Sequence, residues 1–175
     1  MTNVSILTPL TSDRKKFLQL MIMNIVGQDY DRDKMTWIIL DTWKSDGTKT
    51  PPMLCSSEVK DIQKGLYPTK FIYKYIPQSM GIGQKRNALV KLSKDKVFVN
   101  MDSDDIYLSK YVGTITSELK GNVGIAGSPE MMFVFPKHEY QFSYIRCPAH
   151  RQIHEGASGF TLKHFKRMGG FSASG

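Results

Sequence analysis

Residues 97–105 read Val97-Phe98-Val99-Asn100-Met101-Asp102-Ser103-Asp104-Asp105, an apolar run followed by three carboxylates. The apolar run predicts a buried strand that ends at the edge of a sheet. In open α/β sheets, ligands bind in the crevice beyond the carboxyl ends of the strands. Clustered carboxylates repel one another unless a cation lies between them. An acidic cluster at this position therefore predicts a hard divalent ion that also holds substrate phosphates.

The rest of the sequence alternates between predicted strands and predicted helices. The strands are residues 4–10, 35–40, 70–76 and 97–101, and the helices are residues 14–27, a short helix from Ser56, and residues 81–94. Less regular segments follow at residues 123–126, 131–135 and 161–168. This β-α-β order predicts the α/β class, with a mainly parallel sheet flanked by helices on both faces.

Length and composition predict one soluble globular domain. The chain has 175 residues, of which 41% are hydrophobic, and no apolar run approaches the roughly 18 residues of a membrane span. No signal peptide is visible at the N-terminus. We therefore expect a cytoplasmic protein without a transmembrane segment, with peripheral membrane association as an alternative. Cys55 and Cys147 lack the spacing of a metal site, and we expect reduced thiols.

The charge balance predicts an anionic partner. The net charge of +8 comes from 24 basic and 16 acidic residues, which suits a nucleotide, a nucleic acid or a membrane surface. However, the sequence has no Lys/Arg run of five or more and no RNA-binding aromatic motif. We therefore expect no nucleic-acid partner.

The residues that carry chemistry follow the predicted strands. Thr8-Pro9, Asp41, the loop at residues 81–86 and the acidic run at residues 102–105 all lie at or just beyond strand ends. Parallel strands bring these ends to one edge of the sheet. Carboxylates can serve a metal and a base there, while Lys85 and Arg86 can bind phosphates. This combination predicts a pocket for a nucleoside diphosphate.

Six motifs, in order along nearly the whole chain, make the sequence similar to the GT-A-fold glycosyltransferases of the family 2 type. They are the opening strand Val4-Ser5-Ile6-Leu7-Thr8-Pro9, the helix end Ile25-Val26-Gly27-Gln28-Asp29-Tyr30, the strand Trp37-Ile38-Ile39-Leu40-Asp41, the segment Gly81-Ile82-Gly83-Gln84-Lys85-Arg86-Asn87-Ala88, the run Asp102-Ser103-Asp104-Asp105, and Gly169-Gly170-Phe171. The resemblance implies transfer of a sugar from a nucleotide-diphospho-sugar, a UDP-sugar in particular, to a hydroxyl of a glycan or glycoprotein acceptor. An inverting reaction is implied.

The resemblance also assigns roles to individual residues. It implies that Asp41 contacts the uracil base and that Thr8 and Pro9 line the nucleoside pocket. The remaining nucleotide-binding residues are Lys85, Arg86, Asp102 and Ser103, and the ligands of Mn²⁺ or Mg²⁺ are Asp104 and Asp102. The plain structural alternatives are that Asp41 caps a loop, that Arg86 is a solvated helix residue, and that Asp105 only supports its neighbours.

The family pattern divides the single domain into a nucleotide-binding half, residues 1–105, and an acceptor-side half, residues 106–175. The acceptor-side half departs from the pattern, because no Glu-Asp pair follows Phe171 to supply the catalytic base. The base is then Glu155, or less favourably Glu130 or Glu139, or it lies beyond Gly175 in a longer chain with further domains. The loop after Asp41 also departs from the family's "D-D-G-S", which puts its base and ribose contacts in question.

Other functional classes remain open or are excluded. A nucleotidyl- or phosphotransferase could use the same carboxylates, and a chain without its base could be a non-catalytic nucleotide-sugar or glycan-binding module. His150, His154 and His164 lack the accompanying ligands of a zinc site. The segment at Gly81 lacks the third glycine of a dinucleotide fingerprint. The acidic run is not an EF-hand, because Tyr107 stands where that loop requires glycine.

Overall fold

A computed structural model describes residues 1–135, 141–147 and 152–172. The strands are β1 (Val4–Thr11), β2 (Met35–Thr42), β3 (Lys70–Ile76), β4 (Val97–Asn100), β5 (Ile125–Gly127), β6 (Glu130–Phe135), β7 (Gln141–Arg146) and β8 (Ser158–Thr161). The α-helices are α1 (Leu18–Val26), α2 (Ser56–Leu66), α3 (Ile82–Leu92), α4 (Tyr111–Glu118) and α5 (Leu162–Met168). Short 3₁₀ segments precede α1, β2 and β8, at Ser12–Phe17, Arg32–Lys34 and Glu155–Ala157.

Six strands form one sheet in the order β3-β2-β1-β4-β8-β5. The first four strands along the chain pair in parallel, whereas β8 lies antiparallel between β4 and β5. The prediction of a mainly parallel sheet is confirmed. Because β8 comes from the second half of the chain, both halves contribute to the same sheet.

Apolar side chains cover both faces of the sheet. Ile6 packs on one face with buried residues of α1, α2 and α4, while Leu7 packs on the other with residues of α3 and α5. Successive side chains of a strand point to opposite faces of the sheet. A strand that is apolar throughout therefore requires packing against both faces. The predicted placement of helices on both faces is confirmed.

The second half of the sequence contains elements that were not predicted. These are α4, β7 and β8. In the first half, β2 extends through Asp41 to Thr42, two residues beyond its predicted end. In α4, Gly113 and two threonines lower the intrinsic helix propensity. The four-residue β8 contains Gly159, and a glycine in so short a strand hides its apolar pattern.

Two further features complete the fold: a separate pair of strands, and the length and polarity of the helices. The strands β6 and β7 form a separate antiparallel hairpin whose side chains are mostly exposed. Within the described ranges, no helix combines the length and apolar character needed to cross a bilayer.

Candidate functional site

The ends of β1 and β4 are locked together beneath the predicted site. The Thr8 hydroxyl donates to the carbonyl of Met101 (2.9 Å) and accepts from Nε1 of Trp37 (3.0 Å). Thr8 is only 1% exposed and Pro9 is buried. The sequence predicts that these two residues line a nucleoside pocket, and the structure shows that both are buried.

Asp41 is enclosed by hydrogen-bond donors. One carboxylate oxygen accepts from the Ser12 hydroxyl (2.7 Å), and the other accepts from the Met53 N–H (2.8 Å) and the Tyr73 hydroxyl (2.5 Å). The residue is 0% exposed. Burial and the neighbouring carboxylate raise the pKa of Tyr73. The carboxylate therefore ties the strand edge to the loop that ends at Met53, as the loop-capping alternative for Asp41 expects.

Arg86 is the cation at the centre of the site. Its Nη2 lies 3.3 Å from Oδ1 of Asp102, its Nη1 forms an ion pair with Oε1 of Glu155, and its guanidinium lies 5.8 Å from the centre of the Phe171 ring. The side chain is only 2% exposed, which rules out the solvated-residue alternative. One buried guanidinium thus joins the acidic run to the segment before β8.

Lys85, the neighbouring predicted cation, is also buried. Its ammonium group donates to the carbonyl of Leu10 (3.1 Å) at the end of β1. Burial lowers the pKa of Lys85, and the nearby carboxylates of Asp41 and Asp13 oppose this shift. Lys85 therefore holds the strand edge and α3 together while carrying positive charge beneath the site.

The three carboxylates of the acidic run have different surroundings. Burial raises the pKa of Asp102, and the adjacent Asp105 and Asp104 raise it further against the opposing effect of Arg86. Burial and Asp104 also raise the pKa of Asp105. Asp104 itself is exposed, and its Oδ2 lies 2.6 Å from Nη1 of Arg14. Ser103 is buried. The run thus offers one accessible carboxylate beside two partly enclosed ones.

A short 3₁₀ segment, Glu155–Ala157, packs directly against the acidic run. The Asp102 N–H donates to the Tyr107 hydroxyl, which donates in turn to the carbonyl of Gly156, both at 2.8 Å. A Cβ atom on Gly156 would lie 2.5 Å from Oδ2 of Asp102. A larger residue at position 156 would have to displace the Asp102 carboxylate. The side chain of Asn100 adds a hydrogen bond to the Glu155 carbonyl (3.0 Å).

The Gly-Gly-Phe motif closes the site from the α3 side. The side chain of Asn87 donates to the carbonyl of Phe171 (2.9 Å) and accepts from its N–H (2.8 Å). A Cβ atom on Gly83 would overlap the carbonyl oxygen of Ser172. Two motifs that are distant in sequence, at residues 81–88 and 169–171, are therefore in contact.

Two other residues named in the sequence analysis, Glu130 and His164, have partners outside the site. The Glu130 carboxylate lies 3.7 Å from Arg146 across the exposed hairpin. Glu139 and His150 lie outside the described residues. His164 lies within 3.3 Å of Arg167 on α5.

Sequence reasoning missed Arg14, and it did not assign to Tyr107 the linking role that the structure shows. Arg14 follows β1, so the argument from strand ends that selected Thr8 applied to it as well. Tyr107 follows the acidic run by two positions, but no pattern in the sequence distinguishes a tyrosine that links two loops from one that is packed in the core.

The donor set fits a hard divalent ion that substrate phosphates help to hold. Among the described residues, no group of three or more His, Cys, Asp and Glu side chains converges as a metal site. The oxygens of Asp102 and Asp104 are nevertheless the ligand type that Mg²⁺ and Mn²⁺ prefer, and Mg²⁺ is commonly held by one or two carboxylates plus phosphates. The residues present therefore suit a metal that arrives with a diphosphate better than an all-protein cage.

The protein's fold is shared with solved glycosyltransferases. No protein-family profile matches the sequence, and no curated protein matches it significantly. The mannosyltransferase PcManGT from Pyrobaculum calidifontis, in complex with GDP-Man and Mn²⁺, superposes with a TM-score of 0.72 at 18% identity, over 99% of this chain and 48% of that chain. TarS from S. aureus, in complex with UDP-GlcNAc, superposes with a TM-score of 0.52 at 13% identity, over 73% of this chain and 38% of the TarS chain.

The chain therefore spans about half of PcManGT and less of TarS. The GT-A fold predicted from the six motifs is confirmed.

Proposed function

We propose that the protein is a metal-dependent glycosyltransferase that moves a sugar from a nucleotide-diphospho-sugar to an acceptor hydroxyl. The observation that carries the proposal is the buried guanidinium of Arg86, which contacts Asp102 of the acidic run and Glu155 of the segment before β8. Two acids from distant parts of the chain thus share one cation at the ligand-binding edge of a GT-A sheet. The fold relatives, solved with GDP-Man or UDP-GlcNAc, support the same reaction class.

In the proposed reaction, one bond forms and one bond breaks at the anomeric carbon of the donor sugar. An acceptor hydroxyl oxygen forms a bond to this carbon, and the bond from the carbon to the diphosphate oxygen breaks. The nucleoside diphosphate leaves with the bonding electrons, and the hydroxyl proton passes to a base. Attack from the face opposite the leaving group inverts the configuration. Glu155 is the base we propose, because its carboxylate lies beside Arg86 and is half exposed.

The proposed nucleotide-binding residues lie at the carboxyl edge of the sheet. Thr8 and Pro9 form the floor of the nucleoside pocket, and Asp41 holds Ser12, Met53 and Tyr73 in place around it. Direct contact between Asp41 and uracil would require one of these donors to move aside. Lys85 and Arg86 supply positive charge beneath the diphosphate, and Ser103 lies within the acidic run.

Asp104 and Asp102 are the residues proposed to hold Mn²⁺ or Mg²⁺. When bound, such an ion supplies Lewis-acid neutralisation of the charge that develops on the leaving diphosphate. The side chains of this chain do the remaining work. Arg86 holds Asp102 and Glu155 in a fixed relation, and the Tyr107 hydroxyl links the backbones of the two segments that carry them.

Release of nucleoside diphosphate from a donor panel tests the proposal. UDP- and GDP-sugars would be incubated with Mn²⁺ and a set of glycan acceptors, and both the released diphosphate and the glycosylated product would be measured. General-base catalysis is typically worth about 10²–10⁴-fold, so Glu155→Gln should lower the transfer rate by that factor with little loss of donor affinity. Turnover of nucleoside triphosphates without sugar transfer would instead favour a nucleotidyl- or phosphotransferase.

A binding-only role makes a different prediction. A nucleotide-sugar or glycan-binding module would bind the donor without releasing diphosphate under any acceptor condition. If transfer proceeds and Glu155→Gln leaves its rate unchanged, the base lies elsewhere and the assignment of Glu155 fails while the glycosyltransferase proposal stands.

A further inference from the structure

Arg14 contacts the same carboxylate that the proposed metal requires. Its Nη1 lies 2.6 Å from Oδ2 of Asp104, and the two side chains are 40% and 44% exposed. Arg14 belongs to the Ser12–Phe17 segment that directly follows β1. A guanidinium and a divalent cation compete for that oxygen, because both are attracted to the same negative charge and repel each other.

The two buried cations at this edge, Lys85 and Arg86, are less able to change partners. Lys85 and Arg86 are 6% and 2% exposed and are bound to Leu10 and to the Asp102–Glu155 pair. The exposed Arg14–Asp104 pair is the kind whose net stabilisation is small, so its exchange costs little. A guanidinium also presents a planar fork of N–H donors that matches phosphate oxygens.

We propose that Arg14 is a donor-binding residue. It releases Asp104 when the divalent ion binds there, and it then binds the diphosphate that accompanies the ion. The inference rests on the proposed function, and it adds a cation that comes from the first strand end. In this arrangement Arg14 opposes metal binding by the protein alone and favours binding of the metal together with a nucleoside diphosphate. The two effects have opposite signs, which a purely structural role would not produce.

Lys15 provides a matched control. It is the next residue in the same segment, is 53% exposed at its side chain, and pairs with Glu58 at 2.7 Å. Arg14→Gln and Lys15→Gln each remove one exposed positive charge from the same turn, and they therefore change the general electrostatic field almost equally. A difference between the variants reports the local contact with Asp104.

The test measures Mn²⁺ binding alone and nucleoside diphosphate binding with Mn²⁺ present. Free Mn²⁺ would be counted by its electron paramagnetic resonance signal, and UDP and GDP binding would be followed by calorimetry. Arg14→Gln should bind Mn²⁺ alone about two- to fivefold more tightly, the range expected for an exposed ion pair. It should bind the preferred diphosphate with Mn²⁺ about tenfold more weakly, as expected for loss of a charged hydrogen bond. Lys15→Gln should match the wild type in both measurements.

Three results would overturn the inference. They are Arg14→Gln behaving like the wild type, Arg14→Gln weakening both kinds of binding, and neither protein binding Mn²⁺ alone. If the wild type binds a nucleoside diphosphate with Mn²⁺ in any of these cases, the proposed function survives without this role for Arg14. If the wild type binds no nucleoside diphosphate under any condition, the proposed function fails as well.

Discussion

Asp104 differs from the neighbouring carboxylates of the acidic run in its access to solvent. Its side chain is 44% exposed, whereas burial raises the pKa of both Asp102 and Asp105. An exposed strand-end carboxylate can be removed without loss of core packing. It is therefore the residue at which the proposed metal role can be tested separately from folding.

We predict that Asp104→Asn lowers the affinity for UDP or GDP in the presence of Mn²⁺ by at least about tenfold, because even residues that only orient a metal ligand are worth that much. The affinity in the presence of a chelator should stay as in the wild type. Calorimetry measures both values. Asp33→Asn is the control, because Asp33 is an exposed carboxylate paired with Lys34 at 3.1 Å. If the two variants bind alike, Asp104 does not hold the metal.

For individual residues, the sequence predicted some contacts of the site and could not predict others. The argument from strand ends selected Asp102 and Arg86, and the missing family base pointed to Glu155. Asp102 and Glu155 both contact Arg86. The sequence could not predict that Asp41 would be enclosed by three donors, because Met53 and Tyr73 are distant from it in sequence. The sequence identifies a polar residue at a strand end, but only the fold determines whether that residue faces a ligand or a loop.

At the scale of elements, Tyr107 joins the loop after β4 to the segment before β8. Its hydroxyl accepts from Asp102 and donates to Gly156, and its ring centre lies 4.7 Å from that of Tyr111. Burial raises the pKa of Tyr107, with Asp102 as the next contributor. The hydroxyl is therefore a neutral hydrogen-bond link between the two segments that carry the proposed metal ligands and base.

We predict that Tyr107→Phe lowers the free energy of unfolding by about 1–3 kcal/mol, because a backbone N–H and a backbone carbonyl lose their shared partner. Urea denaturation measures the change. Tyr30→Phe is the matched control, since its hydroxyl donates to the Thr2 carbonyl at an exposed site (2.6 Å), and it should cost less than about 1 kcal/mol. Equal losses in the two variants would contradict a linking role for Tyr107.

The first four strands could be predicted from sequence and β8 could not. The strands β1, β2 and β4 are mostly buried runs, and β3 has the alternating pattern of an edge strand; a helix separates each of the four from the next. The short β8 owes its place to Phe160, which packs against Phe98 with ring centres 5.2 Å apart. That contact joins residues far apart in sequence, so the residue pattern of the four-residue segment alone cannot predict it.

At the scale of the whole molecule, Phe160 ties the second half of the chain to the sheet. It is 1% exposed and its ring contacts those of Phe98, Phe165 and Phe171. Phe171 in turn lies against Arg86. The packing that closes the sheet therefore also supports the central cation of the candidate site.

We predict that Phe160→Ala lowers the free energy of unfolding by about 3–5 kcal/mol, the range for truncating a buried phenylalanine. Phe142→Ala should change it by less than about 0.5 kcal/mol, because Phe142 is 69% exposed on the β6–β7 hairpin. Denaturant titration of both variants gives the comparison. A small effect at Phe160 would mean that β8 is not essential to the sheet.

We propose that this GT-A sheet binds a nucleoside diphosphate through a divalent ion at its acidic run. The most direct measurement is the affinity of the wild-type protein for UDP and GDP, determined by calorimetry in Mn²⁺ and again in excess chelator. We predict that at least one diphosphate binds in Mn²⁺ and that its affinity falls by at least about tenfold in chelator. Equal affinity in the two conditions, or no binding of either diphosphate in Mn²⁺, would contradict it.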